Sequence, residues 1–340
     1  MTNIDKLGEF GLIKRITKNF SAKNSSTLVG VGDDAAVVNS EGFHQLVSTD
    51  LLVEDIHFDI TYTPLKHLGY KAVVVNLSDI YAMNAHPKQV LVSLAISSKY
   101  TVEAIDEIYE GIRHACTTYG VDLIGGDTTS SPKGLTISVT VLGQSKSENI
   151  VYRNGAKVGD LICVTGDLGA SYLGLQLLKR EKQIFLENQA IEPDLEDDEY
   201  LVRRHLKPEA RKDMIHFFDD AGLLPTSMID ISDGLSSDLL HICTSSKVGC
   251  EIYEGQVPLT EETYQRAIKF NLDPITCALS GGEDYELLFT IDNRDESKIA
   301  DNDQITVIGQ VTESDIGCVL ITKGGNRHPL TAQGWNHFIS

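Results

Sequence analysis

Hydrophobic and polar positions follow two periods along this chain, and each change of period marks an element. Glu9–Phe20 sets Phe10, Ile13 and Ile16 on one side, the spacing of a short amphipathic helix. Apolar runs at Leu28–Val38 and Leu46–Val53 predict strands. Helical spacing returns over Leu68–Met83, with Ala72, Val75, Asn76, Asp79 and Met83 sharing a face. Gln89–Ser97 reads as a strand. Thr101–Thr118 is the clearest amphipathic helix, striped by Val102, Ile105, Ile108, Ile112, Ala115 and Tyr119, with Tyr109 at the stripe's edge. Asp122–Thr129 is a short strand ending in Gly125-Gly126-Asp127. Beyond it Leu135, Ile137, Val139 and Val141 alternate with Thr136, Ser138 and Thr140, the pattern of a half-buried strand. This order predicts an α/β (α+β) fold whose first part is a helix layer on a sheet with an open face.

A polar break at Ser145–Asn149 predicts a boundary between an N-terminal domain, 1–148, and a C-terminal α+β domain, 149–340. In the second part, Leu161–Thr165 reads as a strand, and Gly166–Gly169 opens a helix running to about Arg180. The stretch Glu192–Arg204 carries Glu196-Asp197-Asp198-Glu199 and then Arg203-Arg204, and it is expected to be exposed and mobile. A helix from Pro208 to about Asp219 leads to the strand Ser227–Leu235 and a helix over Ser236–Ser245. The Gly281-Gly282 turn then enters a strand reaching Phe289, and Thr306–Val311 is a further strand.

Candidate chemistry enters where polar groups interrupt these apolar elements. Gly30-Val31-Gly32-Asp33-Asp34 stands between apolar ends, and strict alternation would turn one of its aspartates inward. A Gly-Asp turn between two strands explains the same residues equally well. Ser48-Thr49-Asp50 breaks the second strand, Asp79 lies too deep in its helix to be a cap, and Asp127 follows two glycines. Asp230 lies inside a strand; capping accounts for Ser232 or Asp233 but not for Asp230. Bare interior carboxylates are costly, and hard cations such as Mg²⁺ take one or two carboxylates each together with phosphate oxygens. So many of them point to several ions around a polyphosphate.

Composition narrows the partner. The 340 residues carry a formal charge of −20 and no basic stripe, which excludes nucleic acid. An acidic chain handles phosphorylated substrates when divalent cations stand between the two sets of charge. The six cysteines are scattered without a C-x-x-C pair, which predicts buried, reduced thiols rather than zinc or disulfides. No run spans a bilayer and the polar N-terminus lacks a signal-peptide core, so a cytoplasmic protein without membrane partners is expected. Walker-type, protein-kinase and G-x-S-x-G motifs are absent.

Several motifs recur in collinear order from end to end. They are Gly8-Glu9-Phe10, Gly32-Asp33-Asp34-Ala35, Ser48-Thr49-Asp50 with His57-Phe58, Asn76-Leu77-Ser78-Asp79 and Gly125-Gly126-Asp127-Thr128, followed by Asp230–Leu235, Ser280–Leu287 and Gly334-Trp335-Asn336-His337-Phe338. In these the chain resembles the thiamine-monophosphate kinases, within the superfamily of aminoimidazole ribonucleotide synthetase. The resemblance implies a homodimer whose N-terminal sheets close a β-barrel, with ATP and several Mg²⁺ in a cleft between the domains. It implies Mg²⁺ ligation by Asp33, Ser48, Thr49, Asp50, Asp79, Asp127, Asp230 and Asp233. ATP would meet Tyr109, Gly126, Asp127, Arg153 and Ser232, and thiamine phosphate would meet His57, Glu283 and Trp335. Leu51, Asp55 and Asn84 depart from the pattern, Asp55 and Asn84 standing where glycine is expected, and the acidic stretch 192–199 is longer than typical. Another ATP-dependent member of the superfamily, or a non-catalytic nucleotide- or metal-binding protein, are the rival readings. Two cysteine-dependent members are disfavoured, because no cysteine precedes Cys116 and the chain ends Phe338-Ile339-Ser340.

Overall fold

The computed structural model describes residues 25–332 apart from 31, 41, 190 and 192. The expected helix 9–20 and the 334–338 tail therefore lie outside the described residues. In chain order the first half runs β1 (Thr27–Val29), β2 (Ala36–Ser40), β3 (Phe43–Val53), α1 (Leu65–Ala82), β4 (His86–Ile96), α2 (Val102–Tyr119), β5 (Asp122–Ser130) and β6 (Leu135–Ser145). Its strands form a six-stranded sheet ordered β1-β2-β3-β6-β4-β5. Residues of β6 alternate buried and half-buried without a break, because one face packs on α1 and the other is open. β4, α2 and β5 make the parallel crossover that such a pairing requires.

Helix α1 is buried on nearly every side, since the sheet, α2 and the second half of the chain all pack against it. Two glycines set how closely α1 and α2 approach. A Cβ on Gly69 would stand 1.9 Å from the Ile108 carbonyl oxygen, and one on Gly111 would stand 1.9 Å from that of Lys66. Local signals end α2: the Thr101 hydroxyl accepts from the Ala104 N–H at 3.3 Å, and Gly120 closes the helix at φ 70°. Its stripe starts one turn later than expected, because Val102 is 73% exposed while Ile108, Ile112, Ala115 and Tyr119 are buried.

The run predicted as one strand over Leu28–Val38 is instead two. β1 and β2 pair antiparallel, and Asp33 and Asp34 stand in the loop between them. The turn reading of that stretch holds, and alternation across a strand does not apply. β5 is longer than predicted, with Gly126-Asp127 in its middle, and all nine of its residues are exposed.

The second half contains β7 (Leu161–Thr165), α3 (Ala170–Glu187), α4 (Glu199–Leu206), α5 (Lys212–Ala221), β8 (Ser227–Asp230), α6 (Leu235–Ser246), β9 (Gly249–Tyr253), α7 (Glu261–Lys269), α8 (Pro274–Ser280), β10 (Leu287–Ile291), α9 (Glu296–Ile299), β11 (Ile305–Thr312), β12 (Cys318–Ile321) and β13 (Arg327–Pro329). A seven-stranded sheet runs β13-β12-β9-β11-β7-β10-β8. The protein is thus a mixed α/β fold with two sheets, and neither is closed among the described residues.

The stretch 192–204, expected to be exposed and mobile, contains most of α4. Leu201 and His205 are buried under α3, where Gly174 lets the Leu201 carbonyl come close. Some of its charges go into the fold with it, although Glu196, Asp197, Glu199 and Arg203 are exposed as expected. Asp198 is buried in a bidentate pair with Arg266, and Arg204 donates to Glu286 at 2.9 Å. The two departures from glycine have a backbone reason. Asp55 and Asn84 sit at φ 66° and 52°, the left-handed region where glycine is favoured and Asn or Asp is tolerated.

Candidate active site

A cleft of about 2000 Å³ is lined from both halves of the chain. β3 leaves the core midway, so Ser48 is half-buried and Thr49 and Asp50 are exposed along it. Helix α1 presents Lys71, Val75 and Asp79, spaced by four on one face. From the second half come Arg153, the end of β8 with Asp230, the turn into α6 and the loop 280–285.

Helix α1 touches β8, and this packing brings the carboxylates together. Ser78 Oγ donates to Asp230 Oδ2 at 2.6 Å, and Ser48 Oγ donates to Asp79 Oδ2 at 2.5 Å. Asp34 is gripped by Arg153 through Nε at 3.0 Å and a terminal nitrogen at 2.7 Å. The Arg153 backbone N–H meets the two Asp33 oxygens at 3.4 and 3.3 Å. One oxygen each of Asp34, Asp79 and Asp230 lies within 4.8 Å of the others.

Such crowding changes the acidity of the group. Burial, then repulsion from Asp34, pushes Asp230 up to about 7 and Asp33 also to about 7. Asp79 is raised well above an ordinary carboxyl by burial and by Asp50, Asp230 and Asp34. Asp238, buried on α6, is raised likewise by burial and by Asp233. Carboxylates held this close fit a hard divalent cation, whose binding would relieve the repulsion.

A second constellation lies further along the cleft. Glu283, in the left-handed region at φ 56°, is met by Lys71 Nζ at 3.0 Å and His205 Nδ1 at 3.2 Å. Burial alone would raise its carboxyl, but the Lys71 ammonium and the His205 hydrogen bond outweigh that and hold it well below the usual range. His205 itself is lowered by burial and by Lys71. The Val53 N–H donates to His57 Nδ1 at 3.0 Å, which places the His57 proton on Nε2.

Of the residues singled out in the sequence, Ser48, Thr49, Asp50, His57, Asp79, Arg153, Asp230, Ser232, Asp233 and Glu283 line this cleft, and Asp33 adjoins it through Arg153. Tyr109, Gly126 and Asp127 do not. Tyr109 packs at the edge of the α2 stripe, and Gly126 and Asp127 lie on β5. Trp335 is outside the described residues. Asp34, Lys71, His205 and Asp238 went unassigned in the sequence. Only Lys71, a cation within the apolar run of α1, carried a local signal.

Comparison with known proteins finds matches over nearly the whole chain. The family described as AIR synthase related protein, N-terminal domain, matches residues 32–145, and its C-terminal domain matches 157–321. A thiamine-monophosphate kinase of Bacillus subtilis (strain 168) is 37% identical over 98% of this chain and 100% of its own length. The solved structure of AaThiL complexed with AMPPCP and TMP superposes with a TM-score of 0.84, at 34% identity and 99% coverage of both chains. The crystal structure of thiamine monophosphate kinase from Aquifex aeolicus gives 0.77, at 32% identity over 96% of this chain and 100% of that one. With these motifs in this order and this fold, the chain belongs to the thiamine-monophosphate kinase family.

Proposed function

We propose that this cleft moves the γ-phosphoryl group of ATP onto the phosphate of thiamine monophosphate, giving thiamine diphosphate and ADP. The convergence of Asp34 from a loop, Asp79 from a helix and Asp230 from a strand carries the reading. With Asp33, Ser48, Thr49, Asp50 and Asp233 they supply the hard oxygen donors that would hold Mg²⁺. When bound, Mg²⁺ neutralises the facing polyanions and aligns them for in-line transfer.

The rest falls to the chain's own groups. Arg153, locked by Asp34, is a fixed positive charge at the cluster's rim and meets ATP together with Ser232. The acceptor phosphate has a second pKa of about 6 and is already mostly ionised at neutral pH. No side chain has to act as general base. Glu283, kept ionised by Lys71 and His205, faces the cationic thiazolium ring, and His57 Nε2–H donates to the same substrate. Trp335 stacks on a heterocycle of the substrate in this reading.

Tyr109, Gly126 and Asp127 are assigned to the site of a second copy in a homodimer. β5 is an exposed sheet edge presenting Leu123 and Ile124, as a strand awaiting a partner would.

The test is direct. The protein incubated with ATP, Mg²⁺ and thiamine monophosphate yields thiamine diphosphate and ADP in equal amounts. ATP turnover without thiamine diphosphate, or no turnover in a folded protein, overturns the assignment. For the dimer, mixed Asp127→Asn and Asp230→Asn chains recover activity that neither has alone. No recovery despite demonstrated subunit exchange refutes the shared site.

A further inference from the structure

Three of the six cysteines, scattered along the chain, converge in the fold, and none of the three lines the carboxylate cleft. Cys243 is near the C-terminal end of α6, Cys250 is in β9 and Cys318 opens β12. Their sulfur atoms all lie within 4.8 Å of one another. We propose that Cys243, Cys250 and Cys318 form a binding site for a soft divalent metal ion of the zinc or cadmium type, separate from the Mg²⁺ carboxylates.

The separation suits the ion. Three thiolates bound at about 2.3 Å around one metal stand about 4 Å apart, so these sulfurs would close on an ion with little movement. The backbone at each position is already fixed. Cys250 and Cys318 are paired neighbours on parallel strands, which turns their side chains to one face of the sheet. The Cys250 N–H donates to the Gly317 carbonyl at 3.0 Å, and the Leu330 N–H donates to the Cys318 carbonyl at 2.8 Å. Cys243 is held from the helix side, its carbonyl accepting from the Val248 N–H at 3.0 Å. Gly249 keeps the strands pinched together there, because a Cβ would stand 2.6 Å from the Gly317 carbonyl oxygen. Sites preset on rigid elements in this way lose little on ordering.

Burial decides the charge of the ion. Cys243 and Cys250 are 3% and 0% exposed inside an apolar cluster, where uncompensated thiolates are costly. A divalent ion cancels two of the three charges and a monovalent one only one. Binding releases three protons to solvent and forms three metal–sulfur bonds, with no redox change. Cys318 is only half-buried, which leaves an entry path and room for a water as fourth ligand. Soft sulfur donors select zinc-type ions over Mg²⁺, while the carboxylates do the reverse.

The test uses the reduced, full-length protein in excess Mg²⁺, which keeps the carboxylates occupied, titrated with Cd²⁺. The expected result is a sulfur-to-metal charge-transfer absorption that saturates at one Cd²⁺ per chain and protects three thiols from alkylation. Cys318→Ser abolishes both signals, and Cys116→Ser retains them. Cys243→Ser repeats the loss at a second ligand, with circular dichroism reporting whether each variant folds. No such absorption in the reduced protein, or absorption surviving in a folded Cys318→Ser, overturns the site. A disulfide within the trio in protein purified without reductant, together with no Cd²⁺ uptake after reduction, does so as well.

Discussion

Replacing Asp230 by asparagine should make the metal-free protein more stable while removing its activity. The side chain is 2% exposed, and one of its oxygens lies within 4.8 Å of oxygens on Asp34 and Asp79. At that separation and an effective dielectric of ~20, each pair of charges repels by about 3 kcal/mol. A second route gives a similar figure. Raising the carboxyl from 3.8 to about 7 corresponds to about 4 kcal/mol at alkaline pH. Because a proton can always relieve the repulsion, about 4 kcal/mol is the ceiling of the gain. The amide keeps an acceptor for the Ser78 hydroxyl, so the substitution removes charge without opening a cavity.

The sign with pH follows from the raised value. Between about pH 4 and 7 the folded state holds a proton that the unfolded chain has released. Wild-type stability is therefore greatest below this window and falls as pH rises through about 7. The variant lacks this term, so the two proteins differ little near pH 4 and most above pH 7. Urea unfolding at pH 5 and pH 8 in EDTA measures the difference. Added Mg²⁺ should then stabilise the wild type, by about 2.7 kcal/mol at a hundredfold excess over its Kd, and the variant less. An Asp230→Asn protein no more stable than wild type at pH 8, or one forming thiamine diphosphate at full rate, refutes the electrostatic account of the cluster.

Glu286→Ala should cost about 3–5 kcal/mol, because it strips Arg204 and Arg211 of a buried carboxylate that they meet at 2.9 and 2.5 Å; a loss below about 1 kcal/mol in urea unfolding would count against it. Lys71→Met should raise KM for thiamine monophosphate while leaving that for ATP nearly unchanged, since it removes the main cation holding Glu283 ionised. The same change lifts the Glu283 pKa, so activity on the acid side should fail at a higher pH than in wild type; an unmoved acid limb contradicts the role given to Glu283. Gly126→Ala should loosen β5 and abolish activity, because its Cβ would stand 1.7 Å from the Val92 carbonyl oxygen; a fully active, equally stable variant would show that β4 and β5 pair otherwise.

What was legible in the sequence is what is settled by near neighbours. The helix α2 could be read because its apolar stripe lies within one segment, and the Thr101 cap and Gly120 stop that the structure shows lie there too. Asp50, Asp79 and Asp230 could be read because each breaks an apolar element that supplies no local reason for a carboxylate. Even the glycine expected at Asp55 and Asn84 was a local demand, met at positive φ by residues that tolerate it. The acidic stretch before α4 misled for the opposite reason. Its charges look alike along the chain, and Glu196, Asp197, Glu199 and Arg203 are exposed, but Arg204 is answered by Glu286 and Asp198 by Arg266, partners that only the fold brings near.

Asp34 shows the same limit at the site itself. In the sequence it has no role beside Asp33, yet its carboxylate stands with Asp79 and Asp230 and anchors Arg153. Nothing within the turn could indicate this, because the deciding contact is the packing of α1 on β8. The cysteine trio depends on the order of strands in the second sheet: β9 and β12 are neighbours, although five helices and strands separate them along the chain. Spacing rules for metal sites work when the ligands share a hairpin or a helix. Here one ligand comes from a helix and two from parallel strands, so the pattern exists only in the sheet order.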